Sequence, residues 1–458
     1  MMNRAEQMRL FLEPRSVALV GARRQVGKGS FNALENLLNQ GFPGEIYPVN
    51  PHAEEILGQK VYHKVKCLPR GIDLAVVMVP REAVLQAVEE CLGRGIKALI
   101  VVSQGFAEAD NRGRELQAAL ELMAKEAGAR VVGPNSFGVI NAFRRFSTTL
   151  LPSPRDQVPV ALVSQSGGLL EGFWGFSFGK AVDLGNMCDV DFADVLGYLE
   201  SDPETRVIAL HMEGVGDGRR FIEVAQLVSQ KKPVLVLKPG KSGKALQAVA
   251  SHTGSLAGVD LVYQAAFRKC GLIRAENVEE LGDFARGFLQ LPPLKGNRLA
   301  IVTPTGAGAI MAMDAMEEQG FALAELSAET VSRIGEFFPP WAPPSNPVDM
   351  LFAGMAHGYG RIYRVSLEAV LDDENVDGVL CIAGSPSLKS IKGIAEGRSK
   401  PVAVWLQGGL DEEVLARIKE SGYQAVFPSP ERAIKALAAL RDYSETSVIR
   451  GTPCSVPF

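Results

Sequence analysis

Three times the chain runs a short apolar stretch into a glycine-rich turn and then into a helical pattern: SVALVGARRQVGKGS from residue 16, VPVALVSQSGGLL from 158 and NRLAIVTPTGAGAIMAMDAM from 297. Further continuous apolar runs follow each one: IDLAVVMVP, IKALIVVSQGF and ARVVGPN, then RVIALHMEG and KPVLVLKPG, then VDGVLCIAG and KPVAVWLQG. A strand that is apolar on both faces must be covered on both, which a parallel sheet achieves with crossover helices. Amphipathic patterns such as REAVLQAVEECLGRG and NVEELGDFARGFLQL supply those helices. The expected fold class is therefore α/β, with three doubly wound parallel-sheet domains. A chain of 458 residues also exceeds what one core can organise. The polar stretch AFRRFSTTLLPSPRDQV and the break LPPLKGN suggest domains at 1–145, 146–292 and 293–445, with an aperiodic tail at 446–458.

Composition narrows the function classes. Lys and Arg total 48 against 52 Asp and Glu, a formal charge of -4, so the basic footprint of a nucleic-acid binder is missing. The first residues, MMNRAEQMRLFLEPRS, carry no export signal, and no apolar run is long enough to span a membrane. A cytoplasmic protein with no membrane or nucleic-acid partner is expected. The six cysteines are scattered without CxxC pairs, which argues against a disulfide framework, and no Cys-His cluster offers a metal site.

In open α/β sheets ligands sit beyond the carboxyl ends of the strands, where turns present backbone N–H groups to anions. The first turn, Gly21 to Ser30, has five residues before Gly27-Lys28 where a Walker A loop needs four, and it is not GxGxxG either. A phosphate-bearing ligand held near Arg23, Arg24 and Lys28 competes there with a plain solvated turn. Ser166-Gly167-Gly168 and Thr305-Gly306-Ala307-Gly308 repeat one device in two domains: a hydroxyl and glycines at a helix start. If the two face each other, they form a socket for a small dianion.

Between those turns in sequence lies SHTGSLAGVD, which places His252, one of five histidines, among small residues with nothing bulky to pack against. Its neutral form is nucleophilic near pH 7, so it suits a phosphohistidine role. Glu213, at the end of RVIALHMEG, stands where it can fix the imidazole tautomer, or be a solvated rim residue; His211 reads as structural.

The succession GARRQVGKGS, YPVNP, SQGFAE, GPNSFGVIN, VSQSGG, GNMCDVD, HMEG, KPGKSGKA, SHTGSLAG, TPTGAGAI and NPVDM resembles the nucleoside-diphosphate-forming acyl-CoA synthetases, relatives of succinyl-CoA synthetase. The resemblance implies a Rossmann-like CoA-binding domain followed by two flavodoxin-like domains. It implies an alpha-type subunit that interconverts acyl-CoA, ADP and phosphate with acid, CoA and ATP. His252 would be the catalytic phosphohistidine and Glu213 its orienting partner. Ser166, Gly167, Gly168, Thr305, Gly306, Ala307 and Gly308 would bind phosphate, and Asn135 and Ser136 the acyl substrate. CoA contacts would come from Gly21, Ala22, Arg23 and Lys28, from Val49, Asn50 and Pro51, from Val79 and Pro80, and from Gln104, Gly105 and Phe106. Because no ATP-grasp region is read in the sequence, Mg-ADP or ATP is expected on a separate ATP-grasp beta subunit, within a heterotetramer in which this chain pairs with itself. Arg23, Met187, Cys188 and Ser136 depart from the residues usual in the family. Two rival readings are a non-catalytic CoA-binding regulatory subunit and an acyl- or carbamoyl-CoA-type transferase.

Overall fold

The computed structural model describes residues 4–25, 27, 32–150, 155–171, 177–241, 260–408, 412–421 and 425–449. The chain divides into two compact units, Met1–Glu279 and Glu280–Phe458.

The first unit holds two large sheets. In the first, β1 (Ser16–Val20), β2 (Glu45–Val49), β5 (Leu74–Val77), β6 (Ala98–Val101) and β7 (Arg130–Val132) run parallel in the order β2-β1-β5-β6-β7. A small antiparallel pair, β3 (Glu55–Ile56) with β4 (Gln59–Lys60), interrupts the path from β2 to β5. The strands alternate between two covered faces. Val17, Leu19, Leu74 and Val76 join one core, while Ala18, Val20, Ala75 and Val77 join another beneath helices α3 (Arg81–Gly93) and α4 (Asn111–Glu126), helix α2 (Ala33–Gln40) lying on the first face. That two-sided burial is why the strands read as unbroken apolar runs.

The second sheet has the order β14-β13-β12-β10-β11-β8-β9. Its members are β8 (Val139–Asn141), β9 (Phe146–Ser147), β10 (Val160–Ser164), β11 (Lys180–Asp183), β12 (Val207–His211), β13 (Val234–Leu237) and β14 (Ile273–Ala275). Five of these strands are parallel, but β8 and β9 run antiparallel, a departure from the purely parallel sheet expected. The reason is chain length. Only residues 142–145 separate β8 from β9, whereas a parallel crossover needs about a dozen or more. The chain instead passes straight from the first sheet into the second and returns in a hairpin. Residues 139–141 and 146–147 belong to the second sheet, and the compact units part at residue 279.

The two sheets share a core. The amino-terminal helix α1 (Arg4–Leu12), which carries no strong periodic signal, buries Met8, Phe11 and Leu12 in the cluster that also contains Phe192, Val195 and Leu199 of α5 (Phe192–Ser201). Above that contact Arg130 of β7 reaches Asp189 at 2.9 Å and Asp194 at 2.8 Å. Arg220 of α6 (Gly218–Ser229) meets Asp191 at 2.9 Å and Asp194 at 2.5 Å. Asp191 and Asp194 also close a capping box at the start of α5, so one buried carboxylate serves both helix and brace. Burial pushes the Asp194 carboxyl up, but hydrogen bonds from Arg220 and Arg130 outweigh it and hold the group below its ordinary range.

The second unit carries β15 (Arg298–Thr303), β16 (Ala322–Leu323), β17 (Val348–Asp349), β18 (Gly378–Ala383), β19 (Val402–Leu406) and β20 (Val426–Phe427). They form a parallel sheet in the order β16-β15-β18-β19-β20, with β17 also on β15. Strands β16 and β17 each cover part of one edge of β15. Between them the Asn346 side chain fills the ladder, accepting from Ile301 N at 2.9 Å and donating to Leu299 O and Ala324 O, both at 2.9 Å. No described helix is long and apolar enough to cross a membrane.

Replacing Asp194 with Asn leaves two arginines around an uncharged amide. Urea denaturation at neutral pH is expected to show a loss of about 3–5 kcal/mol. Since Asp194 titrates lower folded than unfolded, its contribution is complete above about pH 4 and fades as the pH falls through its folded value. The deficit of the variant should narrow in acid; an equal deficit at all pH values would show that the charge is not what matters.

Candidate functional site

In each large sheet the first strand of the parallel set has one partner on either side, so the chain leaves it in both directions and opens a crevice at the carboxyl ends. In the first sheet that point lies between β1 and β5. There Gly21 adopts φ 90°, and a Cβ on it would stand 2.7 Å from Met78 O, so the turn requires glycine. The N–H groups of Gly21 and Ala22 both donate to Val49 O, at 3.0 and 3.1 Å. They are therefore committed to the protein and not aimed at an anion. Asn50 holds the same turn by donating to Ala22 O at 2.8 Å, and Asn32 caps α2 while donating to Gln25 O at 2.9 Å. Arg23 is exposed beside this crevice; Lys28 lies outside the described residues.

The remaining residues expected around CoA gather at the same end of the sheet: Val49 ending β2 with Asn50 and Pro51 following, Val79 and Pro80 after β5, and Gln104, Gly105 and Phe106 after β6. Their roles differ from one another. Phe106 is wholly buried in the core under α3 and α4, so it supports the rim and does not line it. Ser103 Oγ donates to Val79 O at 2.5 Å, tying two strand ends together.

The second crevice lies between β10 and β12. Ser164, the last residue of β10, folds its hydroxyl over the turn, donating to Ser166 O at 2.8 Å and accepting from Ser166 N at 2.9 Å. This is a local turn of the kind short hydroxyl side chains form, and it sets the direction in which the Gly167-Gly168 backbone leaves the strand. His211 Nδ1 lies 3.2 Å from Ser164 Oγ, a supporting position. Gln165 bridges the crevice: its Oε1 accepts from Glu213 N at 2.6 Å and from Gly214 N at 2.9 Å. Glu213, 6% exposed, is thereby tied through its backbone to the turn that follows β10. Gly167–Glu171 is a short 3-10 segment in place of the α-helix start expected after Ser166. A Cβ on Gly167 would fall 2.0 Å from the Phe137 ring, so this position takes glycine.

That neighbour brings the two crevices together. Ser136, 1% exposed, donates from Oγ to Asp183 O at 2.5 Å, and its Oγ accepts from Gly138 N at 3.0 Å. Its hydroxyl is a structural clasp between the sheets. Asn135, at φ 60° and partly exposed, points its amide 3.4 Å from Asn186 Oδ1, and Asn186 in turn donates to Glu108 and Gln117. Asn135 therefore keeps a side chain at the surface where the two sheets meet.

Sequence reasoning did not assign Lys238, although the motif KPGKSGKA contains it. It follows β13 at the same rim, is 2% exposed, and lies 4.8 Å over the Tyr263 ring. Only an apolar run ending in a basic residue marks it in the sequence. His252 itself lies outside the described residues, which resume at Asp260, where the carboxylate pairs with Arg274 at 2.5 Å.

In the second unit the turn after β15 repeats the first unit's device. Thr303 Oγ1 donates to Thr305 O at 2.9 Å and accepts from Thr305 N at 3.0 Å. Thr305 stands at the N-cap position of the helix Gly306–Glu318 without a side-chain capping bond, and the first turn includes Ala307 and Gly308. Side chains Ile382 and Trp405 would stand 3.1 and 3.3 Å from a Cβ on Gly308.

Comparison with known proteins matches residues 15–142 to a CoA binding domain and residues 157–288 to a succinyl-CoA ligase like flavodoxin domain. The chain is 38% identical over 452 residues to the acetate–CoA ligase [ADP-forming] I subunit alpha of Pyrococcus furiosus, covering 94% of this chain and 96% of the relative. It is 39% identical to the acetate–CoA ligase [ADP-forming] I of Archaeoglobus fulgidus, covering 96% of this chain and 64% of that longer relative. The solved dinucleotide-forming acetyl-coenzyme A synthetase 1 of Ca. Korarchaeum cryptofilum, in complex with phosphate and ADP, superposes with a TM-score of 0.87 at 34% identity, over 98% of this chain and 99% of that one.

Gly167→Ala should cost about 1–3 kcal/mol by overpacking against Phe137. Urea denaturation of this variant, and of the double variant that also carries Phe137→Ala, tests it. Partial recovery in the double variant is expected, and none would show that the ring is not the obstacle.

Proposed function

The chain belongs to the nucleoside-diphosphate-forming acyl-CoA synthetase family, and from that premise we propose how its residues divide the work of an alpha-type subunit. Acyl-CoA, ADP and phosphate are interconverted with carboxylic acid, CoA and ATP. In the first step a phosphate oxygen attacks the thioester carbonyl, the C–S bond breaks, and CoA leaves as the thiol, yielding an acyl phosphate. In the second a ring nitrogen of His252 attacks phosphorus, the P–O bond to the acyl group breaks, and the carboxylate departs. In the third the phosphoryl group passes from nitrogen to ADP. Each step runs in both directions.

The observation that carries this reading is the crevice between β10 and β12. Gln165 ties the backbone of a buried Glu213 to the turn that carries Ser166, Gly167 and Gly168, and the Phe137 ring, two residues from Asn135, lies against Gly167. A carboxylate in that position can accept one imidazole N–H of His252 and leave the other nitrogen free to attack. The turn supplies hydroxyl and backbone donors for the transferring phosphoryl group, where catalysis is chiefly positioning and charge stabilisation. Thr305, Gly306, Ala307 and Gly308 would offer a second set of such donors. The rim of the first sheet, with Gly21, Asn50, Arg23 and the 104–106 turn, would hold CoA, so that its thioester reaches Asn135.

The nucleotide would be bound by a separate ATP-grasp beta subunit, with Mg-ADP or ATP held there. The Pyrococcus relative is itself named as a subunit alpha, and the Archaeoglobus relative is a longer chain of which the match covers 64%. Pairing of this chain with itself in a heterotetramer completes the proposal.

His252→Ala should abolish acid-labile labelling of the protein by radioactive acetyl phosphate while CoA binding, followed by calorimetry, persists. A labelled variant would remove His252 from the mechanism. Glu213→Gln should slow the labelling by about 10–1000-fold, the range for a group that orients a base; an unchanged rate would mean that Glu213 does not orient the ring.

A further inference from the structure

Where the two sheets of the first unit meet, a chain of side-chain hydrogen bonds has its polarity set at one end. After β6, Glu108 turns back on its own loop: Oε1 accepts from Gly105 N at 2.7 Å and Oε2 from Phe106 N at 3.1 Å. From α4, Gln117 Oε1 accepts from Ala107 N at 3.3 Å. A backbone N–H can only donate, so these side-chain oxygens are fixed as acceptors. Whatever meets both of them must bring two hydrogens. Asn186, in the loop that follows β11, does so: its Nδ2 donates to Glu108 Oε2 at 2.5 Å and to Gln117 Oε1 at 3.0 Å.

Asn186 is left with only its carbonyl to offer in the other direction, and there it accepts from Asn135 Nδ2 at 3.4 Å. Turning the Asn135 amide over would set two carbonyl oxygens against each other, so the chain of bonds admits one orientation. The two asparagines are also held through their backbones: Asn186 N donates to Pro134 O and Asn135 N to Ser103 O, both at 2.9 Å. Asn135 thus spends one amide hydrogen on Asn186 and keeps the second, with its carbonyl, at the half-buried rim.

We infer that Asn186 is a positioning residue for the exchange of the acyl group between CoA and phosphate: held by Glu108 and Gln117, it orients the Asn135 amide as a donor to the acyl carbonyl oxygen. As a phosphate oxygen bonds to the carbonyl carbon, the C=O electron pair moves onto oxygen, and it returns as the C–S bond breaks. A fixed N–H stabilises that passing charge without giving up its proton. Glu108 also holds Gly105 and Phe106, so the turn expected to contact CoA and the amide expected to meet its acyl group are set by one chain of bonds. The inference rests on the reading of Asn135 as an acyl-site residue.

The test follows acetyl-CoA made by the full chain from acetyl phosphate and CoA, read as thioester absorbance, a step in which no protein residue is phosphorylated. Asn186→Asp keeps an acceptor for Asn135 but turns a carboxylate on Glu108. Its saturated rate should fall about 10–100-fold while the KM for CoA stays within about threefold, and Asn135→Ala should lose at least as much rate. Adding Glu108→Gln gives the new carboxylate an amide N–H to accept, so the double variant should run about tenfold faster than Asn186→Asp alone. In the Asn135→Ala background Asn186→Asp should cost no more than about twofold further. A larger added loss there, no rescue by Glu108→Gln, or a rise in KM that matches the fall in rate overturns the role. Thermal melting checks folding, and Asn186→Ser carries the rate, KM and Asn135→Ala comparisons if the Asp variant melts below the assay temperature. An absence of thioester in the wild type, or an unimpaired Asn135→Ala variant, would instead overturn the acyl-site reading, and this inference with it.

Discussion

The organisation of the first unit depends on the connection formed by residues 133–138. It is too short for a crossover helix, so the chain that completes the first sheet must enter the second at once. The backbone allows this through glycines with no room for a side chain. A Cβ on Gly133 would stand 2.5 Å from Val101 O, and one on Gly185 would stand 2.4 Å from Pro134 O. Asn186 N and Cys188 N then donate to Pro134 O and Gly133 O, closing the second sheet's loop over the connection. As a result the rims of two sheets meet at Asn135, where a thioester held by one would lie beside a phosphate turn carried by the other. Sliding the two sheets by one residue would break the Arg130 brace and this meeting point together.

Electrostatics follows the same division. Near the connection, charge is used for cohesion: Arg130 and Arg220 around Asp194, and Lys180 with Asp202 at 2.6 Å and Glu204 at 2.8 Å. After β12 and β13, Glu213 and Lys238 are each almost fully buried. Low polarizability around them strengthens whatever interaction they make with a bound ring or phosphate.

Much of this was legible in the sequence because the strands are covered on both faces and the turns need glycine. SVALV, VALVS and RLAIVT mark the first strand of the parallel set in each large sheet, and the Gly21, Ser166 and Thr305 turns follow them at the carboxyl ends. Glu213 was legible as a strand-end carboxylate. Short elements were not: β8 and β9, three and two residues long, offer too little pattern to reveal an antiparallel pair. Nor does a motif distinguish a side chain that faces a ligand from one that faces its own protein. Ser136 and Phe106 stand in site-like segments, yet one clasps Asp183 O and the other fills a core. Lys238 escaped for the converse reason, since a basic residue after a strand reads as solvated until its burial under Tyr263 is seen.

On the proposed mechanism this chain captures a phosphoryl group without nucleotide and needs a partner to pass it on. The direct measurement follows radioactive phosphate from inorganic phosphate and acetyl-CoA, first with the purified chain alone and then after adding a separately produced ATP-grasp subunit with Mg-ADP. Acid-labile label on the chain is expected in the first stage, and its transfer to ATP in the second. ATP formed by the chain alone, or ATP formed in the second stage from label that was never bound to this chain, would contradict the mechanism.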